Sequence, residues 1–415
     1  MIILDLQRMI RHEVKRSTKR ISSLPHSRMV DRSLFTKSEI VKAIRVPVTA
    51  IGELLKESSV RDCMFIRRGR KSILCCPREP NSHRLILFKD SPAAEILSRD
   101  YVKPVDYELS TTYDDFNAEE VLRKLIDIEQ DPPSSFETIG HIAHMNLRDE
   151  FIQYKNLIGE VILDKNPHIR TVVTKVGVLS NEFRTFPMEI IASRDDDESL
   201  IANVNERRMK LRIDYRNCYW NSRLATERER LMQCFTSTLP DNSRLIDMCC
   251  GIGALACFAS REGLEVFGND LNPSAIECAR YNSLQNKVDV PFSNKDARDF
   301  LRGLVRDGKL KEGKVNHVMI NLPEIGIEFL DVFEGLFSSL EELGENEFRI
   351  YCHVFSREKP PTDISDRIPL RLPHGFDVRN VHVRDVAPSK IMYSSEFTVP
   401  RDILIANPVK RSRLD

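Results

Sequence analysis

Leu245-Ile246-Asp247-Met248-Cys249-Cys250-Gly251-Ile252-Gly253-Ala254 reads as an apolar strand that ends in an acid and enters a helix through two closely spaced glycines. A residue without Cβ takes positive φ at low cost and lets a ligand approach the backbone closely. The helix starting at Ala254-Leu255-Ala256 offers N–H groups that have no partner within the helix. Such a turn suits a nucleotide-like ligand, although glycines at this spacing also occur in ordinary strand-to-helix turns.

The next segments narrow the choice. Gly263-Leu264-Glu265-Val266-Phe267-Gly268-Asn269-Asp270 reads as a second short strand ending in an acid. It lies about 20 residues beyond the glycines, where doubly wound sheets place a carboxylate that accepts from the ribose hydroxyls. Asn272-Pro273 then opens a helix predicted over 274–282, with proline near the first turn where its missing N–H costs nothing. Ser293-Asn294-Lys295-Asp296-Ala297 supplies a third turn, where Asp296 can bond an adenine amino group with Ala297 against the ring. Capping a helix is the alternative for Asp270 and Asp296 alike. This series is similar to the cofactor site of class I methyltransferases. The resemblance implies S-adenosyl-L-methionine as cofactor, held by Asp247, Gly251, Gly253, Asp270, Leu271, Asp296 and Ala297. It also implies a Rossmann-like α/β domain with a parallel doubly wound sheet.

A further strand, Val315-Asn316-His317-Val318-Met319-Ile320, ends in Asn321-Leu322-Pro323-Glu324. Enzymes that methylate the exocyclic amines of bases usually carry two prolines and an aromatic residue there. Leu322 and Glu324 replace the first proline and the aromatic, which argues against an exocyclic amine as the methyl acceptor.

Tyr219-Trp220-Asn221-Ser222-Arg223-Leu224-Ala225-Thr226-Glu227-Arg228-Glu229-Arg230 precedes the sheet. With it go Asp31-Arg32-Ser33-Leu34-Phe35-Thr36-Lys37, Ile139-Gly140-His141-Ile142-Ala143-His144-Met145-Asn146-Leu147-Arg148, Glu182-Phe183-Arg184-Thr185 and Val383-Arg384-Asp385-Val386-Ala387-Pro388-Ser389-Lys390. In this order, and with Asn321-Leu322-Pro323, the segments resemble the archaeal and eukaryotic tRNA (guanine-N1) methyltransferases that act on position 37. The resemblance covers about residues 30–400. It implies Glu227 as general base, Arg184 as partner of guanine O6, and Asn321 as the residue positioning base and cofactor. It further implies Arg228 at the cofactor and Arg223 and Pro323 at the substrate. The roles fit the chemistry: guanine N1 carries a proton that a base must remove, and charge then develops at O6. Departures are Cys249, Cys250 and Ala254 in the glycine turn, Ser222 in place of a common proline, and Ser394-Ser395 where a cysteine is frequent.

Each residue has a plainer reading beside this one. Glu227 can pair with Arg223 or Arg230 at helical spacing, Arg184 can pair with Glu182, and Arg228 can face solvent. Two other functions are compatible with the chain. One is transfer of the aminocarboxypropyl arm of the same cofactor to a modified guanine in tRNA, and the other is tRNA binding without catalysis.

The chain of 415 residues is long enough for two or three domains, and 62 basic residues balance 62 acidic ones. The balance is uneven locally: residues 1–50 hold 11 Lys or Arg against 4 Asp or Glu, whereas 101–150 hold 4 against 12. Ile66-Arg67-Arg68-Gly69-Arg70-Lys71 is either a phosphate-binding turn or a solvated hairpin tip. The expected organisation is a basic segment over 1–30, a first domain over 31–130 to which the resemblance gives tRNA recognition, a middle α+β domain over 136–214 and the methyltransferase domain over 215–415. Helices are expected over 117–128 and 146–157, with strand and helix alternating from Tyr215 to the end. Ten cysteines lack C-x-x-C spacing and read as reduced thiols, no metal site is expected, and His141 and His144 read as packing residues. There is no apolar run long enough for a membrane span. Residues 1–30 form either a mitochondrial presequence or a tRNA-contacting tail, and the resemblance implies cytoplasm, mitochondrial matrix and nucleus as the expected locations. A monomer with a guanine-37 tRNA as partner is the simplest assembly.

Overall fold

The computed structural model describes residues 30–66, 71–176, 187–194, 198–237, 242–311, 313–372 and 377–405. The basic segment 1–29, the arginines of the 66–71 turn and Arg184 lie outside these residues. The described residues form two compact units, one within 30–135 with 147–168 and 191–194, the other within 136–146 with 169–190 and 198–405. Residues 136–214, read from the sequence as a middle domain, are therefore divided between the two.

In the first unit, strands Lys37–Pro47 (β1), Ile73–Cys75 (β2), His83–Phe88 (β3) and Lys103–Thr111 (β4) form an antiparallel sheet in the order β2-β3-β1-β4. Its core is Ile44, Val46, Leu54, Val60, Ile86, Phe88, Ile96 and Val102. The helix Ala118–Leu125 (α1) opens with a reciprocal cap in which the Asn117 side chain accepts from the Glu120 N–H and Glu120 accepts from the Asn117 N–H. It packs against Lys155–Lys165 (α2). The predicted helix over 146–157 is displaced: Asp149–Tyr154 winds as a tighter three-residue-per-turn helix, and the α-helix begins only at Lys155.

Glu137–Ile139 (β5), Ile142–Met145 (β6), Thr171–Lys175 (β7) and Met188–Ser193 (β8) make a four-stranded sheet, and in the second unit Ile201–Glu206 (β9) and Met209–Asp214 (β10) form a hairpin. The helix Ala225–Phe235 (α3) leads into the main sheet. Its strands are Ser243–Asp247 (β11), Glu265–Asn269 (β12), Phe292–Ser293 (β13), Val315–Ile320 (β14), Glu347–Ser356 (β15), Arg379–Ala387 (β16) and Lys390–Thr398 (β17). They lie in the order β13-β12-β11-β14-β15-β17-β16. The first five are mutually parallel, whereas β17 and β16 run antiparallel. Thus the alternation expected to continue to the end gives way to a hairpin that closes one side of the sheet. The order reverses between β11 and β14, the switch point at which such sheets bind ligands outside the carboxyl ends of their strands.

The helices Ala254–Arg261 (α4), Pro273–Asn286 (α5) and Ala297–Arg306 (α6) connect the parallel strands. Helix α5 runs four residues past its expected end at 282 because its asparagines have backbone partners. Asn282 exchanges two hydrogen bonds with the main chain of Arg212, and Asn286 does the same with Lys210, so the helix covers an edge of the β9–β10 hairpin. Beneath the sheet, Arg244 is only 1 % exposed, and Glu265 at 2.9 Å and Asn316 at 3.1 Å satisfy its guanidinium. A buried cation with these partners avoids the desolvation penalty of an unpaired charge.

Candidate active site

The glycine turn is built as a cradle. Gly251 has φ +55° and Gly253 φ +76°. A Cβ on Gly253 would lie 2.9 Å from the Ala279 Cβ and 3.0 Å from the Phe292 ring, whereas one on Gly251 would meet nothing within 4 Å. Gly253 is therefore needed for packing, and Gly251 borders open space. Asp270, at the tip of β12, accepts from the Gly251 N–H at 2.8 Å and the Asn272 N–H at 2.9 Å, which locks the turn against the next strand.

Asp247, at the end of β11, is buried and its Oδ1 has no hydrogen-bond partner. Burial, with the nearby Asp270 charge adding, pushes its carboxyl up to about 8 despite the Cys249 N–H. Burial also raises Asp270, opposed by its two backbone donors. An orphaned buried carboxyl oxygen calls for a ligand with donors or positive charge. S-adenosyl-L-methionine, with its ammonium, sulfonium and ribose hydroxyls, fits that requirement.

A pH effect follows. A carboxyl raised in the folded state makes the ligand-free protein lose stability as pH rises from about 4 to about 8, because the folded form holds the proton longer. A cationic cofactor prefers the ionised form, so binding should release a proton below about pH 8. Affinity should then fall by up to about tenfold per pH unit on acidification, since a proton is displaced for each ligand bound. Calorimetric titration in buffers of different ionisation enthalpy measures the release. An affinity independent of pH between about 6 and 8, with no proton released, would rule it out.

Of the other cofactor-site candidates, Leu271 is exposed at the mouth of the turn and Ala297 is buried. Asp296 caps α6, accepting from the N–H groups of Arg298 at 2.8 Å and Asp299 at 3.4 Å, so the capping role is the one seen. Arg228 does not face solvent. Its guanidinium forks onto Glu206 at 2.7 and 2.6 Å and lies over the Trp220 ring at 4.9 Å.

Glu227, in the first turn of α3, is 6 % exposed. Arg230 grips both its oxygens at 2.7 Å, and Arg230 also meets Glu396 of β17 at 2.6 Å. On the other side, His353 Nε2 lies 3.2 Å from Glu227 Oε1, and His353 Nδ1 lies 2.8 Å from Asn321 Oδ1. Burial pushes the Glu227 carboxyl up, but Arg230 and His353 outweigh it and hold it below the ordinary carboxylate range. The structure thus brings Glu227 and Asn321 together through a histidine that lies in the apolar run Ile350-Tyr351-Cys352-His353-Val354. The lone polar residue in that run was the available signal, but its partners lie 126 and 32 residues away in sequence.

Two of the quoted segments also meet here. Arg223 is exposed beside Asn221, whose Oδ1 accepts from Arg384 at 3.3 Å. Lys390 pairs with Glu324 and lies 4.1 Å from the centroid of the Phe355 ring. Pro323, Phe355, Arg357, Arg367 and Lys390 line a cavity of about 390 Å³, within the range of ligand pockets. Phe355, whose N–H donates to the Pro323 carbonyl, supplies an aromatic ring next to the segment that lacks one. His144 bonds the Tyr215 hydroxyl at 2.8 Å and packs against its ring.

Residues 202–344 match the TRM5/TYW2 methyltransferase domain and residues 118–196 the TYW2 N-terminal domain. The chain is 36 % identical over 404 residues to a tRNA (guanine(37)-N(1))-methyltransferase of Danio rerio, covering 90 % of this chain and 82 % of that protein. It is 33 % identical to that of Schizosaccharomyces pombe, covering 94 % and 98 %. Among solved structures, it is similar to an aTrm5 in complex with tRNALeu, with a TM-score of 0.64 at 20 % identity over 86 % of this chain and 99 % of that one. It is also similar to Trm5b of Pyrococcus abyssi, with a TM-score of 0.58 at 22 % identity, covering 86 % and 98 %. The structural likeness establishes the fold, and the sequence identity over nearly the whole length establishes descent: the chain belongs to the tRNA (guanine(37)-N(1))-methyltransferase family.

Proposed function

We propose that this protein methylates N1 of guanine 37 in tRNA, using S-adenosyl-L-methionine, and that Glu227, Arg184 and Asn321 carry the reaction. The observation that carries the reading is the buried Glu227 carboxylate joined through His353 to Asn321, at the carboxyl end of β14. When bound, S-adenosyl-L-methionine supplies an electrophilic methyl group on sulfur. Asp247, Gly251, Gly253, Asp270 and Leu271 hold the cofactor in this reading, with Asp296 and Ala297 at the adenine and Arg228 steadying the wall through Glu206. Glu227 accepts the N1 proton, Arg184 donates to O6 as charge develops there, and Asn321 holds the base. Arg223 and Pro323 contact the substrate, and the cavity at Phe355 and Lys390 gives a base extruded from its stack a place to enter.

Residues 31–130 serve tRNA recognition in this reading, and the protein acts as a monomer in cytoplasm, mitochondrial matrix and nucleus. Among the described residues no helix is long and apolar enough to cross a membrane. A fusion of residues 1–30 to a fluorescent reporter tests the mitochondrial share, which a diffuse cytosolic signal would remove.

A methyl at N1 occupies the Watson–Crick edge, so reverse transcription of a treated transcript should stop at position 37. Read-through equal to the untreated control would overturn the reading. The match of 118–196 to the TYW2 N-terminal domain favours one second reading, transfer of the aminocarboxypropyl arm. Cofactor labelled in the carboxyl group would then mark the RNA, and methyl-labelled cofactor would not.

A further inference from the structure

We propose that His353 is a positioning residue that sets the orientation of both Glu227 and Asn321, an inference that rests on the roles given to those two residues above. The imidazole is 2 % exposed and projects from β15. Strand β15 lies parallel beside β14, with Ile320 opposite Cys352, so the next residues, Asn321 and His353, are brought side by side. The two ring nitrogens point in different directions, Nε2 at Glu227 Oε1 and Nδ1 at Asn321 Oδ1. Helix α3 and the end of β14 are therefore tied to one rigid ring anchored in the sheet.

The chemistry of the three groups makes the link directional. An ionised carboxylate only accepts, so Glu227 takes a hydrogen bond from Nε2–H. Nδ1 then determines the carboxamide. With a proton on Nδ1 the Asn321 carbonyl turns to the ring and its amino end faces outward; with Nδ1 bare the amide reverses and offers its carbonyl instead. One imidazole thereby fixes the aim of the base and chooses which end of the amide meets the ligand. Preorganised groups of this kind need supporting hydrogen bonds to keep their geometry, and outer partners removed from other sites typically cost about 10- to 100-fold in activity.

The test uses the full chain with an unmodified guanine-37 tRNA transcript under single-turnover conditions. His353→Phe removes both bonds, His353→Gln keeps a polar group near the Nε2 position and His353→Asn one near the Nδ1 position. His353→Phe should lower the methyl-transfer rate by about 10- to 100-fold with KM for tRNA within about twofold, and Gln and Asn should each recover part of the loss. In a Glu227→Gln or Asn321→Ala background the further loss from His353→Phe should be much smaller than in wild type, because neighbours that act together are not additive. A wild-type rate in His353→Phe, equal losses in all three variants, or full additivity with both backgrounds would overturn the proposal. Should His353→Phe fail to fold, the Gln and Asn variants carry the same comparison. If Glu227→Gln and Asn321→Ala are themselves as fast as wild type, the functional reading fails; if they are slow and His353 is neutral, only the positioning role fails.

Discussion

Glu227→Gln is expected to slow methyl transfer by about 10²- to 10⁴-fold, the usual worth of a well-placed acid–base group. The substitution keeps the shape of the side chain and removes its proton affinity. Arg230 would lose a charged partner, but it keeps Glu396 at 2.6 Å and its side chain is 26 % exposed. The stability cost should therefore fall below the roughly 3–5 kcal/mol seen when a fully buried pair loses one partner. Single-turnover rates at saturating tRNA, with circular dichroism as control, separate the two effects. A wild-type rate would remove Glu227 from the chemistry. The pairing also bears on how the base works: held below the ordinary carboxylate range, Glu227 is ionised at neutral pH but only weakly basic. A shift of Arg230 toward Glu396 alone would raise its proton affinity as the reaction begins.

The two glycines of the β11 turn should respond to the same substitution in opposite ways. In Gly253→Ala, left-handed backbone costs about 1–2 kcal/mol, and crowding of a methyl against Ala279 and Phe292 adds about 1–3 kcal/mol. The second unit should lose roughly 2–5 kcal/mol in denaturant unfolding, as the sum of those two contributions. Gly251→Ala carries only the backbone cost, but its methyl projects into open space at the glycine turn proposed to hold the cofactor. It should fold and bind cofactor at least about tenfold more weakly, which corresponds to about 1.4 kcal/mol. Wild-type cofactor affinity in Gly251→Ala would place the cofactor elsewhere.

The contrast shows what could be read from the sequence. Strand β11, the glycine turn, the acid ending β12 and the proline-started helix α5 are local patterns, set by apolar runs and by residues with special backbone freedom. The pairing of Glu227 with Arg230 was legible as neighbours three apart on a helix. His353 was not, because sheet register brings it to Asn321 and tertiary packing of helix α3 brings it to Glu227, 126 residues away. Nor was the fork of Arg228 onto Glu206, 22 residues upstream, or the burial of Arg244. The antiparallel end of the sheet is not legible locally, because β16 and β17 look like any other strands until their order in the sheet is known. Asp296 illustrates a position with two compatible uses: an aspartate before a helix can cap it and also meet a ligand, and one oxygen of Asp296 caps α6.

The most direct measurement is to incubate the protein with methyl-labelled S-adenosyl-L-methionine and an unmodified tRNA transcript carrying guanine at position 37, then digest the RNA and identify the labelled nucleoside. Label in 1-methylguanosine, lost when that guanine is replaced, is the expected result. Label in another nucleoside, or none in RNA while tRNA binds tightly, would contradict it.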